Sequence, residues 1–374
     1  MKGIPNIGNT CFLNTCLQIL LQTPELDFLV KQEKDVLEKQ EKNLVDKYVW
    51  IAWKKWKATM VSDSDSDTIS VTDIREYQTF VQTIQFVAQK KGHALFSGYV
   101  QNDLSEFLLF FMDTLHEYFK RPRSMNVEGV VQNETDVIAK KCYQMMQETY
   151  KNEYSEIIDT FYGISLSTIY STDKKLSSKP ETFFLLDLPI PSPSLMTPEQ
   201  NPLSIYSCFD HYNSPEYMEN GWIDEKTKQT KSVYKKTDFW NFPKILVITL
   251  QRFQTNFSDQ TNFSGPAHGQ GAEVHISKKM DLVDFPIENL DLSKYVIGYN
   301  ARKYVYDLYG VVNHIGDVHG GHYTAFVLGQ GPDQSQETEK KWYHCNDDRI
   351  EIVQDPRQII TPMAYVFFYR IRPS

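Results

Sequence analysis
A cysteine at position 11 and a histidine at position 322 are the residues of this chain best suited to chemistry. Cys11 stands in Asn6-Ile7-Gly8-Asn9-Thr10-Cys11-Phe12-Leu13-Asn14, and His322 in Gly320-Gly321-His322-Tyr323-Thr324-Ala325. Soon after comes Trp342-Tyr343-His344-Cys345-Asn346-Asp347, which offers an amide and a carboxylate to orient an imidazole. A thiol, a base and an orienting group are the parts of covalent catalysis at an acyl carbon. The loop ahead of Cys11 adds one more. Its Asn6 amide can donate to the oxyanion of a tetrahedral intermediate, with a backbone N–H near Cys11. Asn6 and Asn9 equally suit a plain turn.

These groups need elements to hold them. Leu13, Cys16, Leu17, Leu20 and Leu21 keep a helical period that Thr23-Pro24 ends, so Cys11 falls at a helix N-terminus. Free amide N–H groups and the positive end of the dipole there are expected to lower its pKa and favour the thiolate. Cys16 joins the apolar face and reads as structural. Residues 322–328 and 342–345 read as strands joined by a polar segment; as a hairpin they would bring His322 across from Asn346, which could then fix the imidazole tautomer. Gly320 and Gly321 let the backbone pass close to a substrate chain. His314 and His319 have no such partner and read as loop residues.

Up to about Tyr154 the chain reads as mainly helical. After Gln101-Asn102-Asp103, apolar residues from Leu104 to Phe119 keep a three–four spacing, and Asp103 with Glu106 makes an Asp version of a capping box. Residues 31–57 suit a surface helix or helix pair, and the acidic run 62–67 a solvated loop. From about Gly163 the texture turns to short strands, at 183–186, 244–250, 304–312, 322–328 and 364–369, with long polar insertions at 255–272 and 329–340. A helical half packed on a β-rich half is an α+β arrangement.

With 39 basic and 48 acidic residues the formal charge is −9, which disfavours nucleic acid as a partner and suits a basic one. Five cysteines, an odd count with no pairing pattern, argue against a disulfide framework and for a reducing compartment. No signal-peptide pattern opens the sequence and no apolar run reaches membrane-spanning length, so a soluble intracellular protein without membrane partners is expected. Cys208 and His211 are spaced like half of a zinc site, but no second half accompanies them; neither metal nor cofactor is expected.

Several ordered blocks together resemble the ubiquitin-specific proteases, papain-like cysteine deubiquitinases built as thumb, palm and fingers. Gly8 to Asn14 looks like the family's cysteine box. Gln101-Asn102-Asp103-Leu104-Ser105-Glu106-Phe107 is similar to its Gln-Gln-Asp-x-x-Glu-Phe block, with Asn102 in place of the second Gln. Leu250-Gln251-Arg252-Phe253 resembles the strand end before the first mobile loop, the blocks around His322 and Asn346 the histidine box, and Ala364 to Tyr369 the closing strand.

The resemblance implies one catalytic domain over 1–374, with a helical thumb (1–160), fingers and part of the palm (161–250), and the rest of the palm (251–374). It implies Cys11 as nucleophile, His322 as general base, Asn346 as third triad member, Asn6 in the oxyanion hole and Asp347 supporting that site or the imidazole. Asp103 and Gln101, with Gly320, Gly321 and Tyr323, would bind substrate, Asp103 meeting the basic tail of ubiquitin; 255–272 and 314–321 would flank the tail channel. Ubiquitin or ubiquitinated proteins are the implied partners. Many members bind zinc in the fingers through two CxxC pairs; here Tyr170 and Asp173 stand in the first pair's place, and 220–230 has no cysteine. A protease for another ubiquitin-like modifier, or a binder that does not cut, are the alternatives.

Overall fold
The computed structural model describes residues 1–31, 45–61, 69–93, 102–172, 174–192, 202–223, 228–257, 274–317, 320–329 and 340–373. Gln101, Asp173, His319, the run 62–67 and most of both long insertions lie outside the described residues.

Helix α1 (Cys11–Leu21) is buried along its whole length except at Leu21. A helix buried on all sides must satisfy its polar side chains within the protein, and Asn14, Thr15 and Gln18 all hydrogen-bond there. It packs on the strands at Val305–Gly316, Gly321–Gly329 and Lys341–Asn346 and on the helix at Leu104–Phe119. Helices α2 (Lys47–Val61), α3 (Val71–Lys90) and α4 (Leu104–Phe119) close over it through aromatic side chains. Trp53 of α2 meets Phe111 of α4 at 5.5 Å between ring centres, and Trp56 stacks on Phe80 of α3 at 5.7 Å. Two further helices, α5 (Glu134–Glu153) and α6 (Glu156–Phe161), lead into the strands, and α7 (Ile205–Tyr212) lies among them.

The strands that carry the site form an eight-stranded sheet. It comprises β3 (Leu185–Pro189), β6 (Ile245–Gln251), β9 (Leu290–Asp291), β10 (Val305–Gly316), β11 (Gly321–Gly329), β12 (Lys341–Asn346), β13 (Arg349–Ile352) and β14 (Ala364–Ile371). Its order is β13-β12-β11-β10-β14-β6-β3, with β9 on β10; only β3 and β6 run parallel. In β6, Ile245 and Val247 face the helical core, whereas Leu246, Ile248 and Leu250 face a second core beneath α7. Both faces are covered, which is why this strand is apolar almost without interruption.

A second sheet, four-stranded and antiparallel, projects from the first: β1 (Gly163–Ser171), β2 (Lys174–Phe183), β4 (Glu216–Ile223) and β5 (Thr230–Asn241), in the order β2-β1-β5-β4. Here Tyr170 registers with Tyr234, and Tyr234 with Tyr217, giving a row of three tyrosines across three strands. A two-stranded ribbon, β7 (Phe253–Phe257) and β8 (Val274–Lys278), completes the described strands.

The α+β class expected from the sequence is the class observed. Strand β10 runs on to Gly316, so His314, read above as a loop residue, is a strand residue only 5% exposed. Its ring packs against Phe253, Tyr323 and Tyr365, and that aromatic nest gives the strand an apolar reason to continue.

Candidate active site
The thiol, the imidazole and the amide come from three elements meeting at one edge of the helical core. Cys11 opens α1 after a tight loop in which Gly8 and Asn9 both have positive φ, 120° and 51°. The Asn6 side chain builds that loop: its Oδ1 accepts from Gly8 N at 3.1 Å and Thr10 N at 3.2 Å. Asn6 is therefore a turn residue through its oxygen, which leaves its Nδ2 free to act as a donor elsewhere. One Nδ2–H goes to Asp347 Oδ2 at 3.1 Å.

Strands β11 and β12 form the expected antiparallel hairpin, with Ala325 opposite Cys345. Extending this register pairs Thr324 with Asn346, so His322 lies diagonal to Asn346 on the same face rather than directly across. The diagonal is within reach: His322 Nε2 and Asn346 Oδ1 are 2.7 Å apart. An amide oxygen only accepts, so Nε2 carries a proton, and the neutral ring then has its lone pair on Nδ1.

Next to His322, the Tyr323 backbone N–H reaches the Cys11 thiol. Burial pushes that thiol above its ordinary pKa; the Tyr323 N–H opposes this, the Asp347 charge adds to it, and the N–H groups of Phe12 and Cys11 pull it back. The expected thiolate is thus a protonated thiol in this structure. The helix-end amides act in the anticipated direction, but burial outweighs them. No hydrogen bond joins the Cys11 thiol to the His322 ring among the described residues. The remaining thiols have nothing comparable: burial holds Cys142, Cys208 and Cys345 up to about 12, and Cys16 higher still.

Asp347, expected to support either the oxyanion site or the imidazole, is bound to the N-terminal segment. Its Oδ1 accepts from Asn14 Nδ2 at 2.7 Å, its Oδ2 from Asn6, and its backbone oxygen from Ile4 N at 2.9 Å.

Asp103 caps α4, its Oδ1 accepting from Ser105 N at 2.8 Å and Glu106 N at 3.2 Å. Its Oδ2 accepts from the hydroxyls of Tyr365 at 3.0 Å and Tyr323 at 3.3 Å. Four donors fill the acceptor sites of this carboxylate, so toward a cation it would act through charge rather than a direct hydrogen bond. Tyr323 is itself buried, its hydroxyl committed to Asp103. Gly321 has a packing reason to be glycine: a Cβ there would lie 2.3 Å from His314 Nε2. Gly320 is exposed at the turn before β11, its oxygen accepting from Asp317 N at 3.1 Å.

Two features escaped the sequence reading. Lys278 Nζ, at the end of the β7–β8 ribbon, donates to His314 Nδ1 (2.9 Å), His314 O (2.6 Å) and Gly316 O (3.0 Å), tying the ribbon to the β10–β11 turn. Tyr77 of α3 donates to Asn14 Oδ1 from the core side. The capping box at Ser70 and Asp73 was the available signal for α3. No three His, Cys, Asp or Glu residues gather into a metal site among the described residues. A cavity of about 620 Å³ between α5, α6 and the far ends of β5 and β14 includes none of the residues above.

A thiol at a helix start, beside an imidazole oriented by an amide on an α+β scaffold, is the site type of the thiol hydrolases. The family model for ubiquitin carboxyl-terminal hydrolase matches residues 2–369, and the chain belongs to that family. Human ubiquitin carboxyl-terminal hydrolase 2 is 29% identical over 99% of this chain and 55% of its own length. Human ubiquitin carboxyl-terminal hydrolase 21 is 28% identical over 99% and 61%, and Drosophila melanogaster Usp2 26% over 98% and 34%. The chain therefore spans about a third to three fifths of these relatives. Among solved structures, the SAGA Ubp8/Sgf11/Sus1/Sgf73 DUB module bound to ubiquitin aldehyde matches with TM-score 0.66 at 20% identity, covering 100% of this chain and 70% of that one. That likeness shows the shared fold.

Proposed function
We propose that the chain is a thiol-dependent deubiquitinase that cleaves peptide and isopeptide bonds after the C-terminal glycine of ubiquitin. The observation that carries this reading is the His322–Asn346 hydrogen bond at 2.7 Å on the strand whose next N–H meets the Cys11 thiol, in a member of this family. His322 Nδ1 takes the Sγ proton as sulfur attacks the glycine carbonyl carbon. The oxyanion accepts from the second Nδ2–H of Asn6 and from a backbone N–H at the start of α1. Collapse breaks the C–N bond, and His322 returns the proton to the departing lysine amine. Water, deprotonated by His322, then attacks the thioester and releases ubiquitin and the thiol.

Asp103 supplies negative charge for the basic tail, and Gly320 and Gly321 keep the channel wall low beside it, with Gln101 a further contact. In this reading 1–160 is the thumb, 161–250 the fingers with part of the palm, and 251–374 the palm. Five free cysteines suit an intracellular setting, cytoplasmic or nuclear.

The test is ubiquitin carrying an electrophilic C-terminus, read by intact mass. One adduct, mapped to Cys11 and absent from Cys11→Ala while that variant still binds ubiquitin, is expected. Adduct formation only with another ubiquitin-like modifier, or on Cys16 or Cys345, would overturn the assignment.

A further inference from the structure
The loop that presents Asn6 is held by a chain of hydrogen bonds that begins deep in the helical core. Tyr77, 1% exposed, donates its hydroxyl to Asn14 Oδ1. Asn14, equally buried, donates from Nδ2 to Asp347 Oδ1 at 2.7 Å and to Ile4 O at 3.1 Å. Asp347 Oδ2 then takes one Nδ2–H of Asn6. Each polar atom along this line is occupied by the next, as buried polar groups require. Asn14 lies three residues after Cys11, less than one turn along the same rigid helix, so α1 carries both the thiol and the anchor of Asn6. Asp347 holds a positive φ of 53° as the first residue of the two-residue turn between β12 and β13, a conformation that Asp tolerates better than most side chains.

We propose that Tyr77 and Asn14 are positioning residues for catalysis, acting through Asp347 to fix the Asn6 amide so that its second N–H points at the oxyanion. This rests on the reading of Asn6 given above. The argument is geometric. An Asn6 amide free to rotate would present either its oxygen or its nitrogen to the developing charge, and the oxygen would repel it. With Asp347 accepting from Nδ2, and Gly8 and Thr10 donating to Oδ1, one orientation is left. The acceptor itself must not swing, and Asn14 and the Ile4 N–H prevent that. Tyr77 in turn sets which end of the Asn14 amide faces Asp347: a hydroxyl proton aimed at Oδ1 forces Nδ2 outward. Burial, opposed by a hydrogen bond from the Thr10 side chain and reinforced by the Asp347 charge, holds the Tyr77 hydroxyl protonated, so it remains a donor throughout the working pH range.

Tyr77→Phe withdraws one hydroxyl and keeps the ring in the aromatic stack. With a ubiquitin C-terminal fluorogenic amide as substrate, it is expected to lower kcat about 10-fold to 100-fold, the scale of a small misplacement of a reacting group, and to leave KM unchanged. In an Asn6→Ala background it should lower kcat no further, because the group it positions is gone. Asn14→Ser, which cuts the chain from the other side, should repeat the pattern. Melting temperature measured alongside separates a loss of folding from a loss of positioning. A slow Asn6→Ala enzyme with an unimpaired Tyr77→Phe enzyme would overturn the positioning chain alone. So would equal losses from Tyr77→Phe in both backgrounds. An Asn6→Ala enzyme as fast as the parent would overturn the oxyanion reading and the chain with it.

Discussion
Two adjacent residues, Asn346 and Asp347, look interchangeable in sequence and are separated in space. Asn346 meets the imidazole, whereas Asp347 meets Asn6 and Asn14. Their variants should therefore fail differently. Asn346→Ala releases the His322 tautomer and should both lower kcat, by about 10²-fold or more, and change the pH–rate profile. Asp347→Ala should lower kcat and, by withdrawing a charge that raises the Cys11 pKa, shift the profile toward lower pH; identical profiles for the two variants would contradict the separation. The thiol makes a second residue-scale prediction. Because burial holds Cys11 above its ordinary pKa of 9.0, the neutral thiol dominates at pH 7. Its alkylation by iodoacetamide in the free protein should climb with pH through 9 and beyond. A plateau reached below pH 7 would instead reveal a preformed thiolate. This could not be read from the sequence, because the helix-end effect is local whereas burial depends on which distant residues close over the sulfur.

At the scale of elements, Lys278 is what holds the β7–β8 ribbon against the end of β10. The His314 ring that accepts from it stays neutral, since burial, with Lys278 adding, lowers its pKa to about 4. The unfolded chain takes up the proton near the ordinary 6.5 and the folded one only near 4, so the contribution of His314 to stability is intact above pH 6.5 and lost as pH falls from there toward 4. His314→Gln keeps an acceptor that does not titrate, and its melting temperature should fall less than the parent's between pH 6.5 and 4.5. Parallel declines would exclude His314 as the source. Elements with strong periods were legible from sequence: α1, α4 with its Asp103 cap, and the β11–β12 hairpin. The register of that hairpin was not, because alternation reveals the face but not a two-residue offset along it. The length of β10 was hidden for a related reason: His314 continues the strand by packing on Phe253, Tyr323 and Tyr365, all remote in sequence.

Across the whole molecule, the four-stranded sheet is held with no cluster of three His, Cys, Asp or Glu residues among the described residues. Cys208, half of the one candidate site, is wholly buried in the core under α7; Tyr170, Tyr234 and Tyr217 stand in register across three strands, and Tyr217 and Tyr234 are in ring contact at 5.4 Å between centres. Strong chelators should leave turnover and melting temperature unchanged; about one zinc per chain by elemental analysis, lost together with stability, would contradict this. The separations within the site have a consequence for how the protein comes into being. Asn6 and Asp347 are 341 residues apart and Asp103 and Tyr365 are 262 apart, so no early stretch of the nascent chain contains a working centre. During synthesis Cys11 leaves the ribosome long before the strand bearing His322 exists, and contacts of such range are the last a chain closes. On the mechanism proposed above, a thiol that acquires its base only when the final strands dock cannot acylate itself on passing carbonyls while the protein is still being made.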